Sequence, residues 1–552
     1  MITPPKAASE TTKATLEEVV STVFGKGADV VLAGPVWFAW RDGGRLLRAG
    51  WLKAPTLAEA ITRARESGGS DDATVLELCL TEDYRPVPAS ALEQAFSNAA
   101  RGRVGIEIQL GTALHRIPPT LTIASNRKLL REVEVFATTL GLSLEEVRAK
   151  ARFARFGARQ FLVDLRSGAD SAELYRGNQV IAPDAVGPDL LQGVIDGMIG
   201  WMLSNVRASG RMTYKYWPSR GAYSSADNTI RQFMASVALG RIAQRLGTPA
   251  ARDAFQRNLQ YNLKSYYTEV DGLGGILLDG KIKLGANALA ALAILEGRQC
   301  RLLQPDSYKR EFDGLCRSID HLWQPDGSWR TFLLPGDRND NQNFYPGEAL
   351  LFWATLYRRT RDPGLAAKCL KSFEYYSAWH LAQPNPAFVP WHSQAYVMLY
   401  EDIGEPALAD FVFSRNDWLL EMQQWGGTLD PDLWGRFFHP KRSDFGPPHA
   451  SSTGVYMEGL ADAWRLAVRL GDVLRADRYA KTLRRGLRSV AQLQFRNEND
   501  MYYISRPERV RGGLRTEVYN NEIRVDNVQH CLMALLKFDT DPLFPWPVPA
   551  VH

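Results

Sequence analysis

Cysteine is scarce in this sequence, and two further absences narrow the class of protein before any motif is considered. The chain has 552 residues and five cysteines, which are scattered and form no Cys-x-x-Cys pair. Neither a disulfide framework nor a cysteine zinc site is therefore expected. No apolar run reaches the ~18 residues that a bilayer-spanning helix needs, and the first residues lack the apolar stretch of a signal peptide. We expect a cytoplasmic protein without a membrane span.

A strong excess of one charge is also absent. The chain has 66 Lys and Arg against 61 Asp and Glu, a net charge of +5. This near balance argues against a dedicated nucleic-acid surface, so we predict no nucleic-acid partner. Hydrophobic residues make up 45% and charged residues 23%, which is ordinary for a globular protein. The length exceeds what one hydrophobic core supports and predicts at least two domains.

The first 180 residues mix short apolar runs with helical segments. Runs rich in Val, Ile, Leu and Phe predict strands at 29–40, 74–81, 104–110 and 160–165. Helical patterns lie at 57–66, 90–99, 128–140 and 144–155. Before the last of these, Ser143 is followed three residues later by Glu146, which is capping-box spacing. We predict a small α+β domain over residues 1–180, with its boundary in the Gly- and Pro-containing segment 167–188.

A helical repeat follows over residues 181–545. Six apolar helices begin after a polar cluster, and they align on Asn228, Asn287, Glu348, Gln394, Val455 and Gln529 at intervals of about 46 to 74 residues. A more polar helix precedes each of them, at 189–206, 250–267, 307–323, 364–381, 406–423 and 475–495. Helices without a polar face belong inside a layer of other helices. The repeat therefore predicts inner and outer helices in six hairpins.

Six such hairpins favour a closed ring, and small residues such as Gly454 and Gly459 would let the inner helices approach closely. The alternative is an open α-solenoid, which also repeats helical pairs. The predicted fold class is mainly α, an (α/α)6 toroid preceded by a small α+β domain.

The helical region, residues 181–545, resembles the (α/α)6-toroid superfamily. The likeness lies in its six helix starts and in two sequence segments, QPDGSWRTF at 324–332 and YPGEALLFW at 345–353. The superfamily includes six-hairpin glycosidases, unsaturated uronyl hydrolases, polysaccharide lyases and uronyl epimerases. The resemblance implies a toroid and a carbohydrate-active enzyme, but no single catalytic signature. Terpene and lanthionine cyclases are toroidal too, but their Asp-rich and zinc motifs are absent from this sequence. Residues 44–61 faintly resemble an AMMECR-type α+β domain, which implies no chemistry here.

Candidate catalytic residues lie where the inner helices begin. In a ring, all these N-termini open on one face, and their dipoles favour anionic groups there. Carboxylic acids and histidines are suited to acid–base chemistry, which makes the catalytic candidates Asp227, Glu348, Asp526, His392 and His530. Each Asp can instead be a helix cap, and each histidine a structural residue. We expect the carboxylates to share one cavity mouth, where their repulsion raises the pKa of one.

Aromatic and basic residues in the same loops suit a sugar, whose C–H faces stack on rings while its hydroxyls need hydrogen bonds. Arginines can hold a carboxylate through two bonds. The substrate-binding candidates are Tyr216, Trp217, Arg231, Tyr345, Trp391, Asp430, Trp434 and Arg524. No catalytic metal and no cofactor are predicted.

Three functions remain open at this point. The first is a hydrolase, lyase or uronyl epimerase acting on an oligo- or polysaccharide with acidic groups. The second is a non-catalytic toroid that binds or assembles components of a polysaccharide or peptide pathway. The third is a cyclase or transferase with a hydrophobic cavity, which the arginine-rich loops disfavour. The separation and surroundings of the carboxylates in the cavity would discriminate among them.

Overall fold

The computed structural model describes residues 14–26 and 29–546. Most of the N-terminal segment on which the signal-peptide expectation rests lies outside the described residues. Within them, no helix is long and apolar enough to cross a membrane.

One antiparallel sheet dominates the first part of the described chain. Its seven strands are β1 (Val36–Asp42), β2 (Arg45–Leu52), β3 (Val75–Val87), β4 (Val104–Leu110), β5 (Ala113–Ile117), β6 (Arg152–Asp164) and β7 (Ala172–Leu174). The strand order is β2-β1-β3-β6-β4-β5, and β7 pairs with β6. The helices beside it are α1 (Leu16–Val23), α2 (Leu57–Glu66), α3 (Leu92–Ala95), α4 (Pro119–Ala124), α5 (Leu130–Leu140) and α6 (Leu144–Lys150).

Two apolar cores hold helices on this sheet. Trp40 and Phe161 pack with α1 and α2 in one core, and Ile106 and Phe153 pack with α5 and α6 in the other. Strand 104–110 and helix 57–66 have the predicted bounds. The helix predicted at 144–155 ends at Lys150, because the chain from Arg152 pairs with β4 and then β3 as β6. The predicted capping box forms between Ser143 and Glu146.

The remaining helices build the predicted toroid. They are α7 (Pro188–Ser204), α8 (Thr229–Leu246), α9 (Pro249–Tyr266), α10 (Leu284–Gln299), α11 (Lys309–Leu322), α12 (Tyr345–Thr360), α13 (Pro363–Ala382), α14 (Val389–Ile403), α15 (Pro406–Leu420), α16 (Ala450–Arg469), α17 (Val473–Leu493), α18 (Glu498–Met501) and α19 (Val525–Leu535). The inner helices α8, α10, α12, α14, α16 and α19 each pack on the next, and α19 also packs on α8. Outside them, α7 contacts α17 and α19. The ring is therefore closed, and the open-solenoid alternative is wrong.

Glycine allows the closest approach between inner helices. A Cβ added to Gly454 in α16 would lie 2.6 Å from the Cys531 nitrogen of α19, and one on Gly459 would lie 2.6 Å from the Pro390 Cα of α14. Both distances are shorter than a Cβ can have, so the backbones touch where only glycine fits.

Two small antiparallel sheets fix the loops that lead into the inner helices. Their strands are β8 (Lys215–Trp217), β9 (Ala222–Tyr223), β10 (Tyr267–Val270), β11 (Leu273–Leu278), β12 (Lys281–Lys283), β13 (Phe332–Leu334), β14 (Arg515–Glu517) and β15 (Asn520–Arg524). One sheet has the order β14-β15-β8-β9 and the other β10-β11-β12-β13. Because β8 pairs with β15, the loop before α8 is joined to the strand that leads directly into α19.

Buried polar contacts join the first sheet to the toroid. Arg176, which is 1% exposed, donates from Nε to Asp432 Oδ2 at 2.6 Å and from Nη2 to Asp430 Oδ2 at 2.7 Å. Asn521 donates to the Ile123 carbonyl at 2.8 Å. The division into domains 1–180 and 181–545 stays a prediction.

Candidate active site

A cavity of about 440 Å³ opens where the inner helices begin, on the face that the sequence predicted. Side chains from five of the six inner-helix starts, with residues from the loops, form its wall. Seven of the predicted site residues line it together: Arg231, Tyr345, Glu348, Trp391, Arg524, Asp526 and His530. The ring thus brings together residues that are almost 300 positions apart in sequence.

Glu348 lies in the first turn of α12 and is 3% exposed. Its Oε2 has no hydrogen-bond partner among the described residues. Burial raises the pKa of Glu348 to about 8, although the positive charges of Lys283 and Arg231 act in the opposite direction. A Cβ on Gly285 would lie 1.7 Å from Oε2, so the carboxyl group fits only because that position is glycine. At neutral pH most Glu348 side chains carry a proton and can donate it.

Asp526 is held as an anion between two arginines. Arg231 donates from Nε to Oδ2 at 2.7 Å, and Arg524 donates from Nε to Oδ1 at 2.9 Å and from Nη2 to Oδ2. Burial alone would raise the pKa of Asp526, but the two guanidinium groups outweigh it and hold this pKa well below the usual range. The predicted repulsion between grouped carboxylates is therefore not what sets these pKa values. Burial raises that of Glu348, and arginines lower that of Asp526.

His530 has a buried carboxylate as its partner. Its Nδ1 lies 2.6 Å from Oε1 of Glu458, which is fully buried in α16. The imidazole is 14% exposed, and the Trp391 ring meets it edge-on at 5.9 Å between centroids. In the neutral imidazole, a proton on Nδ1 that is donated to the carboxylate leaves Nε2 as the unprotonated nitrogen, which is the nitrogen that can act as a base.

The order of the inner helices places Glu348 and His530 on opposite sides of the ring. Glu348 belongs to α12 and His530 to α19, and three steps around the ring separate these helices in either direction. Both side chains line the same cavity. The two residues therefore belong to opposite parts of the cavity wall.

Aromatic and further polar groups complete the wall. Tyr345, Trp391 and Tyr456 contribute rings. His449 also lines the cavity, and burial, with the charge of Arg524, lowers its pKa to about 4. Gln529 is fully buried, and neither atom of its amide has a hydrogen-bond partner in the part of the chain that the structure describes.

Asp227 lies apart from this cavity, contrary to our expectation. Its Oδ2 accepts hydrogen bonds from Arg211 at 3.0 Å and the Tyr266 hydroxyl at 2.8 Å. Its Oδ1 accepts from Gln232 at 2.8 Å. Asn228, and not Asp227, caps α8 and lines the cavity. Because its lone pairs are occupied by structural partners, we assign Asp227 no catalytic role.

His392 is also placed away from the cavity wall. The imidazole is fully buried and stacks on Phe388 with 3.5 Å between ring centroids. Burial lowers its pKa to about 3, so it stays neutral at physiological pH. A ring that is sealed from the cavity cannot exchange protons with a substrate there.

Four of the predicted substrate-binding residues lie outside this cavity. Tyr216 is buried against Tyr223, and Trp217 donates to Glu522 at 2.8 Å. Asp430 pairs with Arg176 and Arg103 beside the first sheet, and Trp434 packs on Trp425. None of them lines the cavity described above.

Glu458 is a residue of this site to which the sequence analysis assigned no role. It follows the start of α16 by two turns and precedes His530 by 72 positions, so no local motif joins the two. Among the described residues, no three His, Cys, Asp or Glu side chains are grouped closely enough to hold a metal ion.

Neither a protein-family model nor a curated protein matches this sequence. Among solved structures, the chain is similar to a D-mannose isomerase at 11% identity, over 64% of this chain and 98% of that one, with a TM-score of 0.47. A cellobiose 2-epimerase from Bacillus thermoamylovorans matches at 11% identity over 63% and 98%, with a TM-score of 0.47. An unsaturated glucuronyl hydrolase specific for heparin matches at 11% identity over 64% and 97%, with a TM-score of 0.46.

These likenesses do not bear on the reaction, because identity and TM-score are both low. No family model supports the AMMECR-type resemblance at 44–61, which stays a prediction.

Proposed function

We propose that this chain is a carbohydrate-active enzyme of the uronyl-epimerase type, with the cavity at the inner-helix N-termini as its active site. The observation that carries the proposal is the pairing of His530 with buried Glu458, opposite a protonated Glu348. Rings beside hydrogen-bonding groups in a cavity of this size suit a sugar.

The charges of the cavity favour a substrate with one acidic group. Arg231 and Arg524 contribute two positive charges, and Asp526 contributes one negative charge. Glu348 is mostly neutral at pH 7, and so is His449. Arg231 uses only Nε for Asp526, which leaves its terminal nitrogens for a ligand. The surplus positive charge and these free donors support a uronic-acid carboxylate.

The reaction that we propose uses His530 and Glu348, which lie on opposite sides of the ring. His530 Nε2 takes the proton from the carbon next to the substrate carboxylate, and the electron pair of the broken C–H bond moves into that carboxylate. Arg231 and Arg524 stabilise the resulting enediolate. Glu348 then gives its proton to the opposite face of the carbon, which inverts the configuration and leaves Glu348 ionised and His530 protonated. His530 releases its proton to solvent and Glu348 takes one up, which restores both groups for the next turnover.

Hydrolysis is less well supported by the same geometry. It needs a free carboxylate opposite the acid, as base or nucleophile. Asp526 is engaged by two arginines, and Glu458 is engaged by His530. Neither carboxylate is available for that role.

The proposal is tested by product analysis with free uronates and with oligosaccharides containing glucuronate, mannuronate or galacturonate. We expect NMR to show a changed configuration at the carbon beside the carboxylate, with unchanged chain length and with loss of the reaction in His530→Asn. New reducing ends in the wild-type reaction would instead show hydrolysis, and an unsaturated uronate would show elimination. Either result would contradict the epimerase proposal.

A further inference from the structure

A second cavity, of about 710 Å³, lies at the opposite end of the ring, where the inner helices finish. It shares no lining residue with the proposed active site. Its volume falls within the ~300–1,000 Å³ range that is usual for small-molecule sites. Whatever this cavity binds is therefore separate from the proposed substrate.

The wall of this second cavity is rich in positive charge. The cations that line it are Arg241, Arg245, Arg358, Arg465 and Lys537, against two carboxylates, Glu296 and Asp462. The carboxylates that pair with Arg245, Arg358 and Arg465 do not line the cavity. The face that a ligand would meet thus presents more cations than anions.

Gln394 presents a buried donor with no acceptor. Lys537 donates to Gln394 Oε1 at 2.8 Å, and because an ammonium group only donates, this contact fixes which end of the amide is oxygen. The other end, Nε2, has no partner among the described residues, and the side chain lines the cavity at 3% exposure. A buried donor without an acceptor destabilises the folded chain, so an acceptor supplied by a ligand is favoured here.

Two arginines add donors without good acceptors. Arg241 binds Glu296 through Nε and Nη2, while its Nη1 meets only the Met533 sulfur at 3.5 Å, and sulfur is a weak acceptor. Arg465 makes a single long ion pair with Asp541 at 3.7 Å, counting partners within residues 14–26 and 29–546, and is 46% exposed.

We propose that this second cavity binds a small organic molecule through an oxyanion group, a phosphate or a carboxylate, that accepts from Gln394 Nε2, Arg241 Nη1 and Arg465. Cations near the C-terminal ends of helices also neutralise the helix dipoles. That role accounts for the arginines, but it leaves Gln394 Nε2 without a partner among the described residues and Arg241 Nη1 with only a weak sulfur acceptor there.

Isothermal titration of the full chain with inorganic phosphate, glucose 6-phosphate and glucuronate tests this site, with glucose as the neutral control. We expect saturable binding of at least one anion, weakened at least tenfold in Arg465→Gln. The matched control is Arg469→Gln on the same helix, which is 57% exposed, pairs with Glu401 and does not line the cavity. Its affinity for the anion should stay within twofold of the wild type.

The anion that binds distinguishes phosphate from carboxylate as the group recognised. Absence of binding by all three anions would overturn the proposal and leave the cations as helix-end charges. Equal weakening by Arg465→Gln and Arg469→Gln would show unspecific attraction. Binding that survives Arg465→Gln but is lost in Arg231→Gln would place the anion in the proposed active site. These last two results would overturn the proposal too, and no outcome depends on whether the chain is an epimerase.

Discussion

Asp227 and Asn228 are neighbours in sequence, yet they face different parts of the molecule. Asn228 caps α8 and lines the cavity, whereas Asp227 bonds Arg211 and Tyr266. The polar cluster before the helix could be predicted from sequence, but which of its members faces the cavity depends on helix phase. The pairing of Glu458 with His530 could not be predicted from the sequence, because the two residues belong to different helices. At the residue scale, the sequence predicted seven of the side chains that line the cavity, and packing decided which of their neighbours do not.

Glu348 predicts a pH dependence of stability. Its pKa is about 8 in the folded chain against an ordinary value of 4.5. Between these values the folded protein holds a proton that the unfolded chain has released, so the free energy of unfolding falls as pH rises. At about 1.4 kcal/mol per pH unit, the loss reaches about 3 kcal/mol by pH 7. Burial lowers the pKa values of His392 and His449, which change the stability of both proteins in the opposite sense below about pH 6.5. We therefore expect the unfolding free energy of the wild type minus that of Glu348→Gln to decline from pH 5 to 8; a constant difference would contradict the account.

Glu458 is predicted to act through His530 as a positioning residue. Glu458→Gln keeps the size of the side chain but removes the charge that orients the imidazole through Nδ1. We expect kcat on the uronate substrate to fall about 10- to 100-fold with little change in KM. An unchanged kcat, or a fall in kcat no larger than the loss of folded protein, would show that Glu458 is only a packing residue.

Elements were more predictable than single residues. The inner helices could be predicted because they lack a polar face, and the closed ring buries them on all sides. Strands β2 and β5 were missed, since their residues are mostly half-exposed and their apolar positions are interrupted by Arg45 and Arg48 in β2 and by His115 and Arg116 in β5. Their pairing with β1 and β4 determines the structure there, and single-sequence patterns do not contain that information.

At the element scale, we predict that replacing glycine by alanine has opposite effects inside and outside a helix contact. Gly454 lies in the contact between α16 and α19, and Gly200 lies outside any such contact. Gly454→Ala forces the backbones of these helices apart and should lower the free energy of unfolding by about 1–3 kcal/mol. Gly200→Ala on the exposed face of α7 meets no atom within 4 Å and should raise it by about 0.5–1 kcal/mol. Denaturant titration measures both. Equal effects would mean that the helices do not touch at Gly454.

At the scale of the whole molecule, we expect the buried polar contacts between the sheet and the ring to contribute to the free energy of unfolding. Arg176→Ala leaves buried Asp432 without its partner and should cost about 3–5 kcal/mol of unfolding free energy. Arg103→Ala is the matched control, because Arg103 also pairs with Asp430 but is 45% exposed, and its loss should cost about 0–1 kcal/mol. Equal losses in denaturant titrations would show that burial of Arg176 does not stabilise this junction.

The closed ring is also what brings Glu348 and His530 to one cavity from opposite sides, and the central claim is that they move a proton at a sugar carbon. Its most direct test is NMR of a uronate substrate incubated with the enzyme in D₂O. We predict that deuterium enters the carbon beside the carboxylate in wild type and not in His530→Asn. Turnover without deuterium at that carbon, or equal incorporation in both proteins, would contradict the account.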